Sequence, residues 1–234
     1  VSTAILLLLL LTVLAALSVR AKAVDGSGAV AGVVVALLLY LGGGWSMLML
    51  LGAFFVTGSL ATRWRWRQKA GAGLEQEAGG RRSAVNVLAN GGAGAILGFL
   101  AWQMPGGGFL VVPMAATLAS ATSDTLSSEL GNLYGSRYLH ILSFRPGERG
   151  ADGVVSPEGS LAGVAGSGLI ALLFLALYGS QPGAGIVFLA GLAGNLSDSL
   201  LGASLQRRGY LDNHGVNFAS TLAAAVLAAW WMPG

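Results

Sequence analysis

The chain lacks cysteine altogether, and only 10% of its residues are charged. Without cysteine there is no disulfide framework and no zinc-thiolate site. A soluble globular domain carries about 25% charged residues, so the shortage of charge excludes an ordinary water-facing surface. The first 19 residues bear no charge. That removes the basic start of a cleaved signal peptide, and a first transmembrane helix is expected instead, although Ala21-Lys22-Ala23 is similar to a cleavage site. The chain opens at Val1, and an initiator methionine or short leader is expected upstream. Catalytic strings are missing too: there is no G-x-x-x-x-G-K-[ST] loop, no G-x-S-x-G elbow and no H-E-x-x-H pair. His140 and His214 read as ordinary loop histidines.

What is present is apolar. Hydrophobic residues make up 54% of the chain, with 37 glycines, and the mean hydropathy is +0.71. A spanning helix needs about 20 mostly apolar residues. Eight such stretches are predicted, over 2–19, 26–43, 45–62, 85–102, 108–130, 159–178, 184–205 and 216–232. The expected fold is therefore all-α, a polytopic membrane bundle forming one domain over 1–234. All 13 basic residues fall in alternate loops, after helices 1, 3, 5 and 7. The opposite loops, such as Leu41-Gly42-Gly43-Gly44, carry none. Lys and Arg are retained in the cytoplasm, which predicts non-cytoplasmic termini and a cytoplasmic active face in a prokaryotic plasma membrane. The +3 net charge reads as topology, with no nucleic acid as partner.

Short matches at offsets of 127 and 131, such as Asp25-Gly26 with Asp152-Gly153, suggest two parallel four-helix repeats, 1–102 and 108–234. Chance likeness among Gly/Ala-rich helices explains them equally well.

Ionisable groups inside a span are costly and usually functional. Three carboxylates qualify: Asp124, Glu129 and Asp198. Helix 5 aligns Thr117, Ser120, Asp124, Ser127, Ser128 and Gly131 on one face, and helix 7 aligns Gly191, Asn195, Asp198, Gly202 and Gln206. Helix 4 adds Asn86 and Asn90; helix 8 adds Asn217, Ser220 and Thr221. No Lys or Arg lies in a span to balance the carboxylates. A divalent metal bridging to phosphate oxygens would supply that charge; a proton- or cation-coupled transporter fits the same pattern. Basic loop residues, among them Lys69, Arg81, Arg82 and Arg145, are placed to neutralise phosphates. The Gly-rich runs at Asp25 and Asp152 would let backbone approach an anion.

Four ordered motifs carry a resemblance. They are ATSDTLSSELG (121–131), LSDSLLGASLQ (196–206), RRSAVNVLANGG (81–92) and GADGVVSPEGSLAG (150–163). Together they resemble a membrane family long without assigned function, which includes transmembrane protein 19 of animals and the phytyl-phosphate kinase of plants and cyanobacteria. The resemblance runs from about 19 to 222. One position departs: the family's Gln before Val-Leu-Ala-Asn-Gly-Gly is Asn86 here. The resemblance implies a Mg²⁺-requiring transfer of phosphate from CTP to an isoprenyl monophosphate. On that reading Asp124 and Asp198 hold the metal with Glu129 assisting. Lys69, Arg81, Arg82 and Arg145 bind phosphates. Asn86, Asn90, Asn217 and Gln206 contact phosphate or ribose, and Asp152 or Asp25 closes the rim. A transporter or lipid scramblase is the alternative, and a silent scaffold the third.

Overall fold

Five local signals set the helix starts. Asp25, Ser83, Ser156, Ser180 and Asp212 each accept the backbone N–H three residues on, which satisfies donors that a helix start otherwise orphans. The computed structural model describes residues 2–74 and 78–232. Its helices are α1 (Ser2–Arg20), α2 (Gly26–Arg63), α3 (Trp66–Gly71), α4 (Ala84–Gln103), α5 (Val111–Tyr134), α6 (Pro157–Tyr178), α7 (Gln181–Leu201) and α8 (Asn213–Trp231). A π turn, Gly202–Gln206, extends α7. Two short strands, β1 (Leu139–His140) and β2 (Val154–Val155), pair antiparallel in the α5–α6 loop.

Helix α2 is two arms. Straight, its 38 residues would run about 57 Å. At Gly44 the backbone takes φ 65, ψ −158, a left-handed value that glycine adopts without strain. The chain reverses there, because Gly28 on one arm and Gly58 on the other both abut Arg82. The predicted break at 41–44 is this turn, and Tyr178 Oη donates to the Gly43 carbonyl at 3.0 Å to hold it.

The core is built around α5. Met114, Ala115, Ala116, Leu118 and Ala119 are fully buried, as expected of a helix apolar on every side. Leu39, Met47, Leu50, Ile170, Phe174 and Val187 pack around it. Outer faces stay apolar: Leu161 is 70% exposed and Leu172 68%, a surface suited to lipid. Five stretches among the described residues are long and apolar enough to cross a bilayer: Gly26–Arg63, Ala84–Gln103, Gly107–Tyr134, Pro157–Tyr178 and Gln181–Gln206. Helix α5 touches α2, α4, α6, α7 and α8, whereas α1 packs mainly on α2.

One end of the bundle gathers the basic loops. Arg63 donates to the Ala21 carbonyl, Asp25 N–H to the Arg82 carbonyl at 3.1 Å, and Trp64 Nε1 to Tyr134 Oη at 2.6 Å. The Asp25-Gly26-Ser27-Gly28 turn is a chain clamp here. Its close backbone approach is to Arg82, and Ser27 Oγ accepts from Ala84 N–H at 3.1 Å. That corrects its expected use as an anion cradle or rim. The Gly28 N–H and the Ser27 hydroxyl hold the Asp25 carboxyl below its usual value.

Lys69 is corrected as well. Arg65, in the left-handed region at φ 48, turns the chain back so that α3 drops Lys69 into the bundle. Its ammonium donates to the Ala61 carbonyl at 2.9 Å, the Thr62 carbonyl at 2.8 Å, and Glu129 Oε2. An ammonium has three protons, so none remains for a phosphate. The cation instead caps the last carbonyls of α2 and neutralises a buried carboxylate. Lys69 and Glu129 are 1% and 3% exposed.

Two outcomes follow for thermal unfolding in detergent. Lys69→Met or Glu129→Leu alone should cost about 3–5 kcal/mol, and the double variant should recover most of it, because only an unpaired buried charge carries the penalty. Asp25 has a lowered folded pKa, so its contribution is fully present above about pH 4 and fades as pH falls through the folded value. The stability gap between the parent protein and Asp25→Ala should therefore be flat near neutrality and narrow in acid.

Candidate active site

Helices α5 and α7 pack closely through small residues over their inner halves. Gly194 sits against Ser120, and Gly191 against Ala119 and Ser167. Nearer the basic end the same two faces separate, and the polar stripes line a cavity of about 350 Å³. Close packing and cavity are thus successive stretches of one stripe. Asp124 lies about 15 Å inside the end of α5 at 1.5 Å per residue.

Asp124 and Asp198 line the same wall of this cavity, close enough for their carboxyl groups to interact. Both are half-buried and face the cavity. Ser128, one turn along, serves Asp124. Ser220 Oγ donates to Asp198 Oδ2 at 3.2 Å. Asn217, with its amide nitrogen turned inward, donates to the same oxygen at 3.1 Å and to the Asn213 carbonyl at 3.2 Å. Asn195 Nδ2 reaches Ser123 Oγ at 3.0 Å and joins the α7 wall to α5. Helix α8 therefore orients one carboxylate and α5 the other.

Adjacent carboxylates repel unless a proton or cation lies between them. Their donor set is hard oxygen, which suits Mg²⁺, an ion commonly held by one or two carboxylates plus substrate phosphates. The expected third ligand is corrected: Glu129 is the partner of Lys69, and no cluster of three or more acidic or histidine ligands forms among the described residues.

Asp124 also lines a second, smaller space. Arg82, Asn86, Asn90, Thr125, Glu129 and Asn217 surround it. Arg82 is held over the Phe54 and Phe55 rings, 5.2 and 5.9 Å from their centroids. Asn90 Nδ2 donates to the Asn86 carbonyl at 3.0 Å. Of the predicted phosphate contacts, Arg82, Asn86 and Asn90 meet here. Arg81 and Arg145 do not: both are exposed and line neither space. Arg145 lies in the β1 hairpin, where its carbonyl accepts from His140 N–H at 2.9 Å.

Loop 150–156 forms part of the wall of the larger cavity at its mouth. Gln206 Nε2 donates to Asp152 Oδ1 at 2.9 Å, so both predicted residues reach the site but first engage each other. Gly153 presses against Ala203, which makes this Asp-Gly turn another chain contact rather than an anion cradle. The π turn brings Gln206 round to the mouth, in keeping with the frequency of such turns at functional sites.

Sequence reasoning missed Asn132, Tyr138 and His214, which also line the cavity. Tyr138 Oη donates to the Gly131 carbonyl at 3.1 Å. His214 lies in the first turn of α8, and its Nδ1 is buried without a partner among the described residues. The start signal at Asp212 would have moved His214 from loop to helix.

The integral membrane protein family DUF92 matches residues 9–225. An uncharacterized membrane protein of Methanocaldococcus jannaschii is 34% identical over 220 residues, 94% of this chain and 90% of its own length. Protein VTE6, chloroplastic, of Arabidopsis thaliana is 31% identical over 87% of this chain, which spans 64% of that protein. Protein PGR of the same plant is 29% identical over 91% of this chain and 90% of its own length. No solved structure matches. With a family match that covers nearly all of the bundle, this chain belongs to the integral membrane protein family DUF92.

Proposed function

We propose that the chain is a prenyl-phosphate kinase. It passes the γ-phosphoryl group of CTP to an isoprenyl monophosphate at the basic face of the membrane. One observation carries the reading: two adjacent carboxylates, Asp124 and Asp198, open from inside the bundle onto a polar cavity at the end where the basic loops gather. The family resemblance carried by 121–131 and 196–206 supplies the donor and acceptor class.

In the balanced reaction an acceptor phosphate oxygen attacks the γ-phosphorus of CTP. The bond from that phosphorus to the β,γ-bridging oxygen breaks, leaving CDP and the prenyl diphosphate. The acceptor already carries about 1.5–2 negative charges at neutral pH, so no general base is required of this site. Positioning and charge neutralisation do most of the work in such transfers. Asp124 and Asp198 are the residues that would hold Mg²⁺, which when bound would offset the charge of the phosphate oxygens. Ser128, Ser220 and Asn217 keep the two carboxylates aimed. The larger cavity, with Asn195 deep inside and Gln206 and Asp152 at its mouth, takes the nucleotide. Arg82, Asn86 and Asn90 line both the smaller space beside Asp124, which at about 20 Å³ has room for about one water, and the end of the apolar groove next to it, and from that end they face the acceptor phosphate.

In this reading α1, the two arms of α2, and α4 to α8 make eight spans, α3 being a surface turn. The loop-charge rule puts the basic end in the cytoplasm of a prokaryotic cell, with the nucleotide entering from that side and both termini opposite.

Purified protein given radiolabelled CTP, Mg²⁺ and a panel of prenyl monophosphates should form the corresponding diphosphates. Asp124→Asn and Asp198→Asn should each lower turnover by about a hundredfold or more, as loss of a group that stabilises developing charge does. Chelating Mg²⁺ should stop the reaction. Full turnover in the double Asn variant, or substrate movement across vesicles without CDP release, would overturn the proposal.

A further inference from the structure

Between α1 and the two arms of α2 lies a cavity of about 360 Å³ whose walls are almost wholly apolar. Leu7 and Leu11 fasten α1 to Ala36, and Arg63 fastens its end through the Ala21 carbonyl. Between those points α1 stands off. Leu14 and Ser18 on α1, Gly32 and Ala36 on the first arm, and Gly52 and Phe55 on the second wall the space. It runs about 12 Å along α1, from Leu10 to Ser18, and about 12 Å along the first arm, from Gly28 to Ala36. That length is close to one leaflet of a hydrocarbon core about 30 Å thick.

Its polar end is not a separate site. Arg82, Asn86 and Asn90 line this groove and also the small space that contains Asp124. The Phe54 and Phe55 rings that carry Arg82 are themselves groove wall. A molecule that fits the groove has an anionic head beside Arg82, Asn86 and Asn90 at its polar end and one apolar chain running between α1 and α2. The volume lies at the small end of the range of about 300–1,000 Å³ typical of ligand pockets, which favours a single chain.

We infer that the α1–α2 groove is the tail-binding subsite of the lipid acceptor and sets the chain length the protein accepts. This rests on the phosphotransferase reading for the identity of the head group. The acceptor would enter sideways from the bilayer, past α1, and need not pass the cavity mouth at Asp152. Gly32 and Gly52 act as vacancies in the wall, since a Cβ at either position meets nothing within 4 Å. A leucine there would start from an unobstructed Cβ on the groove wall, and it improves helix propensity over glycine.

The experiment compares geranyl phosphate with geranylgeranyl phosphate as acceptors for the full chain in nanodiscs. Gly32→Leu and Gly52→Leu should raise KM for geranylgeranyl phosphate about tenfold and KM for geranyl phosphate by clearly less, because the longer chain loses more apolar burial. Equal effects on the two acceptors, or none, would overturn the groove and leave the kinase reading standing. A second readout does not depend on turnover. Geranylgeranyl phosphate with a diazirine at the tail end should label the 10–18 or 45–55 segment, and unlabelled geranylgeranyl phosphate should compete it away. Labelling elsewhere would overturn the inference, as would equal competition by a two-chain phospholipid. Labelling in the groove without any CDP formation would sustain the tail site and remove the kinase.

Discussion

A carboxylate placed inside an apolar bundle has to be answered, and three of them are answered here in two different ways. Glu129 receives a full counter-charge from Lys69, together with the order that comes from anchoring α3 and the end of α2 to α5. Asp124 and Asp198 receive each other and a set of neutral donors from α5 and α8. The first arrangement is closed electrically. The second needs a proton or a cation, and it lies where a cavity can deliver one. Five residues along α5 separate a group that holds the fold from a group available for chemistry.

The sequence disclosed the second arrangement better than the first. Polar residues at steps of three and four on two apolar segments placed Asp124 and Asp198 on facing stripes, and helical periodicity is rigid enough for that inference to survive folding. The partner of Glu129 was not legible in the same way. Lys69 sits in a short charged stretch that reads as membrane-flanking, and it turns inward only because Arg65 adopts a left-handed backbone. Nothing in the spacing of 63–69 reveals a reversal that depends on one residue's φ. For the same reason Arg81 and Arg82 could not be told apart: one faces outward, while the other lies over two aromatic rings. The Asp-Gly turns at 25 and 152 misled because a backbone that can approach an anion can equally approach another backbone.

Charge asymmetry, by contrast, carried over to the structure without loss. Every loop that bears a basic residue gathers at the end toward which the site opens, and the Gly44 turn lies at the other. Such a pattern is set by which ends of helices are paired, which the alternation of long charged and short uncharged loops already fixes.

The π turn at the end of α7 has a consequence for how the site depends on chain length. A wide turn accommodates an extra residue without ending the helix. Each residue in a regular helix advances the side-chain direction by about 100°. Removing one residue between Gly202 and Gln206 would leave Asp152 and Gln206 unchanged in identity while turning the amide away from the carboxylate. The contact between Gln206 and Asp152 is thus encoded by a count of residues as much as by their kind, so an insertion or deletion at this turn would break it with no polar group replaced.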